Sequence, residues 1–165
     1  SILKFTGAKD IAIEIGSLSK TASFAGFRIG WYVGNKKIIS AVAKVKSQMD
    51  SGLTLPFQKL ASHVLNNFDN TWYRAMLFHY QNNRDTLARA FTSLGLHVIK
   101  PKGALYLWIR IPDSYTDASA YVAYLLQTYH ILVTPGTAFG TEGERYIRVS
   151  ISSDISKIKL YFKGI

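Results

Sequence analysis

The chain has 165 residues, 48% hydrophobic and 13% aromatic, enough for a core and too apolar for a disordered segment. It has no cysteine, which excludes disulfides, thiolate metal sites and cysteine nucleophiles. Twenty lysines and arginines against ten acidic residues give a formal charge of +10, yet the only local cluster is Lys36, Lys37, Lys44 and Lys46, so the basic stripe of a nucleic-acid-binding face is missing. No apolar run approaches the ~20 residues of a membrane span, and no signal-peptide pattern opens the sequence. The expectation is a cytoplasmic protein with no metal, membrane or nucleic-acid partner.

In chain order, Ile11-Ala12-Ile13-Glu14-Ile15 is short, β-branched and bounded by turn residues, which predicts a strand. Phe27 to Val33 is a second apolar run, ended by Gly34-Asn35. From Asn35, a candidate cap, Ile38, Ile39, Val42 and Val45 fall at helical spacing with lysines opposite. Pro56 suits a first helical turn, and Phe57, Leu60, Ala61, Val64 and Leu65 continue it. Thr71 to Leu94 is the longest periodic stretch, with Trp72, Met76, Tyr80, Leu87 and Phe91 as its stripe and Gly95 as its stop. Strands follow at Leu96–Ile99 and Ala104–Ile111, around a Pro101-Lys102-Gly103 turn. A helix is predicted over Ala118–Thr128, then short strands at Ile131–Val133 and Tyr146–Ile151. Ser153 or Asp154 is positioned to cap a terminal helix.

Two segments carry chemistry. Ser17-Leu18-Ser19-Lys20-Thr21 places an amine among small hydroxyls at the end of a strand, where open α/β folds bind ligands. Arg28 adds a forked cation suited to phosphate, and Gly26 and Gly30 would let the backbone turn tightly and approach a ligand. Lysine attacks carbonyls only as the neutral amine, which desolvation or neighbouring positive charge favours. An ordinary surface lysine beside a strand arginine would look the same in an isolated Ser-Lys-Thr triplet. The second segment runs from Pro135-Gly136-Thr137-Ala138-Phe139-Gly140 to Tyr146-Ile147-Arg148-Val149-Ser150. A guanidinium inside an alternating apolar strand requires an anion. That anion is either Glu142, Glu144 or Asp154, or the carboxylate of a ligand.

The whole lysine segment, with Gly26-Phe27-Arg28-Ile29-Gly30-Trp31, resembles the cofactor-attachment segment of class I/II (fold-type I) pyridoxal-phosphate-dependent aminotransferases. The resemblance implies that Lys20 is catalytic, carrying pyridoxal 5'-phosphate as a lysine-bound aldimine and moving the proton between substrate Cα and the cofactor carbon. It implies that Ser17 and Arg28 hold the cofactor phosphate, with Ser19 a weaker candidate. The Arg148 segment resembles the family's stretch that binds the substrate α-carboxylate, Arg145 falling on the more exposed turn. Gly103-Ala104-Leu105-Tyr106 resembles a small-domain strand near the substrate entrance, where Tyr106 and Trp108 are assigned to core ahead of pocket wall.

The implied fold is α/β. Residues 1–70 would form the C-terminal part of the large cofactor domain, ending the sheet that carries the lysine. Residues 71–94 would be a long connecting helix and 95–165 a small α+β C-terminal domain. The implied reaction is transfer of an amino group from an amino acid to a 2-oxo acid by a parent that is a homodimer. The expectation is that this chain is a C-terminal fragment, incomplete and weakly active or inactive alone, because nothing before Ile11 can supply the family's other cofactor contacts. A lyase or synthase of the same fold remains open, as does a non-catalytic domain using its charge on a polyanion.

Overall fold

The structure, a computed structural model, describes residues 1–152, so the predicted cap at Ser153 or Asp154 lies outside the described residues. Contacts divide the chain into one unit over Ser1–Tyr73 and a second beginning at Arg74.

In the first unit, a short helix α1 (Ala8–Ile11) leads into β1 (Ile13–Ser17), and the chain turns at once into α2 (Leu18–Thr21). A 3-10 turn over Ala25–Phe27 then brings it back as β2 (Gly30–Gly34), antiparallel to β1. Gly16 lies opposite Trp31 in this register. A Cβ on Gly16 would come within 2.2 Å of the indole, so the ring occupies the space a side chain would need. Asn35 then starts α3 (Lys36–Met49) as predicted, its Oδ1 accepting from Ile38 N at 3.0 Å. Its Nδ2 donates to the Asp10 carbonyl at 2.6 Å, tying the start of α3 to α1. Helix α4 (Leu55–Asn66) carries Pro56 in its first turn, where no backbone hydrogen bond is lost. Leu18, Ala22 and Ile29 form the buried centre, with Phe24, Trp31, Leu53, Ala61 and Val64 packed on it. This small core holds the segment immediately around the lysine.

Helix α5 (Asn70–Ser93) crosses the division between the units and begins beside Asp69, whose Oδ1 accepts from Thr71 N and Trp72 N. Of its predicted stripe, Leu87 and Phe91 are buried, Met76 and Tyr80 half-buried and Trp72 exposed. Gly95, at φ 78°, ends it as expected.

The second unit holds a four-stranded antiparallel sheet. Its strands are β3 (Val98–Ile99), β4 (Tyr106–Arg110), β5 (Thr134–Pro135) and β6 (Tyr146–Ser150), in the order β3-β4-β6-β5. Helix α6 (Ala118–Tyr129), capped by Asp117, packs on one face. Alternation sorts the strands: Leu107, Ile109, Ile147 and Val149 are buried with Leu87, Phe91, Tyr121 and Leu125. Tyr106, Trp108, Tyr146 and Arg148 stand on the other face.

The strand predicted at Ile131–Val133 is not one. His130, in the left-handed region at φ 56°, ends α6, and Ile131 N still donates to the Leu125 carbonyl of that helix. Ladder pairing begins only at Thr134, opposite Arg148. Val133 and Ile131 contribute to the core without joining the sheet.

Candidate active site

The lysine turn is built from backbone contacts around one carbonyl. Leu18 N and Ser17 Oγ both donate to Ile29 O, at 3.2 and 3.1 Å, closing the turn between β1 and β2. Ser17 Oγ also caps α2 by accepting from Ser19 N at 3.1 Å and lies 3.0 Å from Ser19 Oγ. Leu18 is fully buried, so the turn is anchored from below while Ser17 and Lys20 stay exposed. Arg28 sits at φ 54°, a left-handed conformation that strains a non-glycine residue by about 1 kcal/mol. Its guanidinium donates to Ala25 O at 3.0 Å, folding back over the same loop.

The turning role expected of Gly26 and Gly30 belongs elsewhere. Positive φ falls on Ser23 and Arg28, not on either glycine. A Cβ on Gly26 would meet nothing within 4 Å, whereas one on Gly30 would lie 3.0 Å from Gly16 O. Gly30 therefore permits close strand approach, and Gly26 is not sterically required.

No carboxylate pairs with Lys20 or Arg28 among the described residues. Glu14, on the same strand, instead accepts from Ile2 N at 3.1 Å, and hydrogen bonding at Ser1 holds its carboxyl below the ordinary range. One amine, one guanidinium and two hydroxyls without a nearby countercharge form a donor set for an anionic carbonyl compound. An open cleft of about 480 Å³ begins at Ala22 and is lined also by Phe24, His63, Phe68 and Trp72. None of Ser17, Lys20 and Arg28 lines it. Among the described residues there is no group of three or more potential metal ligands.

In the second unit, strand register puts Arg148 between Trp108 of β4 and Thr134 of β5. The guanidinium carbon lies 4.2 Å from the centre of the Tyr106 ring and 4.4 Å from that of Phe139. Its one hydrogen bond among the described residues is a long one, from Nη2 to Thr134 Oγ1 at 3.4 Å. Glu142 and Glu144 do not pair with it, and Asp154 is outside the described residues. Arg145 is fully engaged instead. It bridges Asp113 at 3.0 Å and donates to the carbonyls of Pro112, Tyr115 and Thr116. Arg145 is thus a brace, and Arg148 is the cation with donors to spare.

Assigning Tyr106 and Trp108 to the core is overturned. Both stand on the face opposite Leu107 and Ile109, Tyr106 being 37% exposed. Trp108 stacks on Tyr146 at 5.6 Å and meets Phe139 edge to face at 5.9 Å, forming a wall beside Arg148. Thr134 and Phe139 were missed from the sequence as site residues. The only signal for Phe139 was membership of the glycine-bounded segment before Tyr146, and Thr134 lies just ahead of that segment. The structure gathers Ser17, Ser19, Lys20 and Arg28 on one turn, and Arg148 with its aromatic wall in the other unit.

The chain is 42% identical, over its full length, to an LL-diaminopimelate aminotransferase of Dehalococcoides mccartyi, covering 41% of that protein. A Natranaerobius thermophilus enzyme of the same name is 38% identical, again over the full chain and 42% of its own length. Among solved structures, an aminotransferase from Staphylococcus aureus superposes with a TM-score of 0.89 at 34% identity, over 99% of this chain and 43% of that one. An aromatic aminotransferase from Pyrococcus horikoshii gives a TM-score of 0.91 at 27% identity, over 99% of this chain and 44% of that one. The chain thus spans about two fifths of the length of the curated relatives it matches. The family pattern described as aminotransferase class I and II matches residues 2–161. The chain, of mixed α/β fold, therefore belongs to the aminotransferase class I and II family, a family of pyridoxal-phosphate-dependent enzymes.

Proposed function

We propose that this chain supplies the cofactor lysine and the substrate-carboxylate arginine of an aminotransferase that moves an amino group from an amino acid to a 2-oxo acid. In this reading, residues 1–70 complete the cofactor-binding domain, 71–94 connect, and 95–165 form the small domain of a cytoplasmic homodimer. The absence of cysteine fits that location. The names of the relatives make LL-diaminopimelate the first substrate to assay. They also favour amino transfer over lyase or synthase chemistry.

The lysine turn fits pyridoxal phosphate by the chemistry of its donors. Lys20 would hold the cofactor aldehyde through its amine, on a four-carbon stem that reaches away from the buried Leu18 anchor. Arg28 would take the phosphate, with Ser17 and Ser19 adding hydroxyl bonds. When bound, the cofactor supplies the electron sink that stabilises negative charge at the substrate Cα. Once the incoming substrate amine has replaced it on the aldehyde, the freed Lys20 amine would be the base that takes up the Cα proton. Arg148 would bind the α-carboxylate through paired N–H bonds and so fix the direction of the Cα–H bond.

The observation that carries this reading is the contrast between two arginines three positions apart. Arg145 has a carboxylate and three carbonyls, while Arg148 has no acidic partner among the described residues. In the full-length protein, Arg148→Ala is expected to raise KM and lower kcat, with kcat/KM for α-amino acids falling about 10²-fold or more. The visible absorbance of the bound cofactor is expected to stay. A variant that lost the cofactor but still saturated normally with substrate would contradict the assignment.

A further inference from the structure

We propose that Tyr106 and Phe139 are positioning residues that aim the Arg148 guanidinium at a carboxylate, a deepening that rests on the carboxylate reading of Arg148 above. A free arginine side chain carries roughly 2 kcal/mol of rotamer entropy, and binding an anion must freeze it. A protein carboxylate would also hold the side chain, but it would use up the donors. Arg148 is held without one: both rings present their faces to it, at 4.2 and 4.4 Å, well inside the ~6 Å reach of a cation–π contact. Ring faces attract the cation but accept none of its N–H bonds in the plane. The only hydrogen-bond acceptor it uses among the described residues is Thr134 Oγ1, at 3.4 Å. The guanidinium is thereby fixed while most of its five N–H donors stay available for a ligand.

The rings are themselves held in place. The backbone of Tyr106 is fixed by the ladder, opposite Ser150. Phe139 closes a 3-10 turn that begins at Gly136, and that glycine's backbone packs directly against Gly143. A Cβ on Gly136 would lie 2.2 Å from Gly143 O, and one on Gly143 would lie 2.0 Å from Gly136 O. No side chain fits at either position, so the turn carrying Phe139 can approach the start of β6 this closely only with both glycines. The Trp108 ring then contacts Phe139 at 5.9 Å and stacks on Tyr146 at 5.6 Å, so the aromatic wall backs Phe139 from β4.

The test uses the full-length protein labelled with ¹⁵N-arginine, titrated with pyruvate as a 2-oxo carboxylate probe. The Arg148 Nε–H signal is assigned by its loss in Arg148→Lys. Phe139→Leu is expected to move that signal downfield as the ring current disappears. It should also weaken pyruvate binding about two- to five-fold, the range that exposed cation–π contacts sustain. Phe139→Trp should restore both, which a purely space-filling role would not require. Tyr106→Leu paired with Tyr106→Phe gives the same reading on the other ring, and decides the matter if Phe139→Leu fails to fold. Folded leucine variants with the Arg148 signal and pyruvate affinity unchanged would overturn the proposal. A wild-type chain that binds no pyruvate, but whose Arg148 signal still depends on both rings, would refute the carboxylate reading and uphold the aromatic positioning.

Discussion

Arg145 donates to Asp113 and to the carbonyls of Pro112, Tyr115 and Thr116, whereas Arg148 leans on aromatic rings and a single hydroxyl. Arg145→Ala is therefore expected to lower the unfolding free energy by about 2 kcal/mol, because those acceptors lose a charged donor. Urea denaturation checks this, and the Arg148 Nε–H signal of the folded variant should keep its position. Gly16 makes a second residue-scale claim. Gly16→Ala would put a methyl where the Trp31 indole now lies, and overpacking of that kind costs about 1–3 kcal/mol. Lower stability with altered tryptophan fluorescence is the expected result. At this scale the sequence showed which residues carry charge, while the packing role of Gly16 emerged only from its register with Trp31. Arg148 was legible because a cation at an apolar strand position demands an explanation. Phe139 was not, because its place over Arg148 depends on the Gly136–Gly143 contact between two backbone segments.

Among elements, the helices were the most legible, since their caps and periodicity are local. Asn35 was readable as a cap, and it serves twice, holding Ile38 N and the Asp10 carbonyl. Asn35→Ala is expected to destabilise the first unit by about 1–2 kcal/mol, measured by thermal or chemical unfolding. The strands were less legible because pairing is not local. Ile131–Val133 has strand composition, but the left-handed turn at His130 leaves it completing a helix end. The second unit also has a predictable acid limit. Hydrogen bonds from Arg84 and then Lys100 hold the Asp85 carboxyl down at about 2. The Asp117 carboxyl is lowered from 3.8 chiefly by the Ala120 N–H at the start of α6. A carboxyl lowered on folding stabilises above its unfolded value and ceases to do so as pH falls through its folded one. Stability should thus decline between about pH 4 and pH 2, as followed by urea midpoint against pH. Asp85→Asn should flatten that decline.

For the molecule as a whole, the first unit leaves much apolar surface uncovered. Ile15 and Tyr32, opposite each other on β1 and β2, are 69% and 44% exposed, and Val45 and Met49 on α3 are 63% and 78% exposed. Contiguous apolar surface of this kind is ordinarily covered by a partner element or chain. That surface agrees with a chain spanning about two fifths of its relatives' length. The two chemical segments were legible from sequence because each combines charge, small residues and strand texture in a run of about ten residues. The wall around Arg148 was not, because it is assembled from β4, β5, β6 and the turn between β5 and β6. The most direct measurement of the central claim is borohydride reduction of the full-length protein with pyridoxal phosphate, followed by peptide mapping. A reduced cofactor label on Lys20 that disappears in Lys20→Ala is the expected result. A label on a different lysine of the wild-type protein, unchanged by Lys20→Ala, would contradict it.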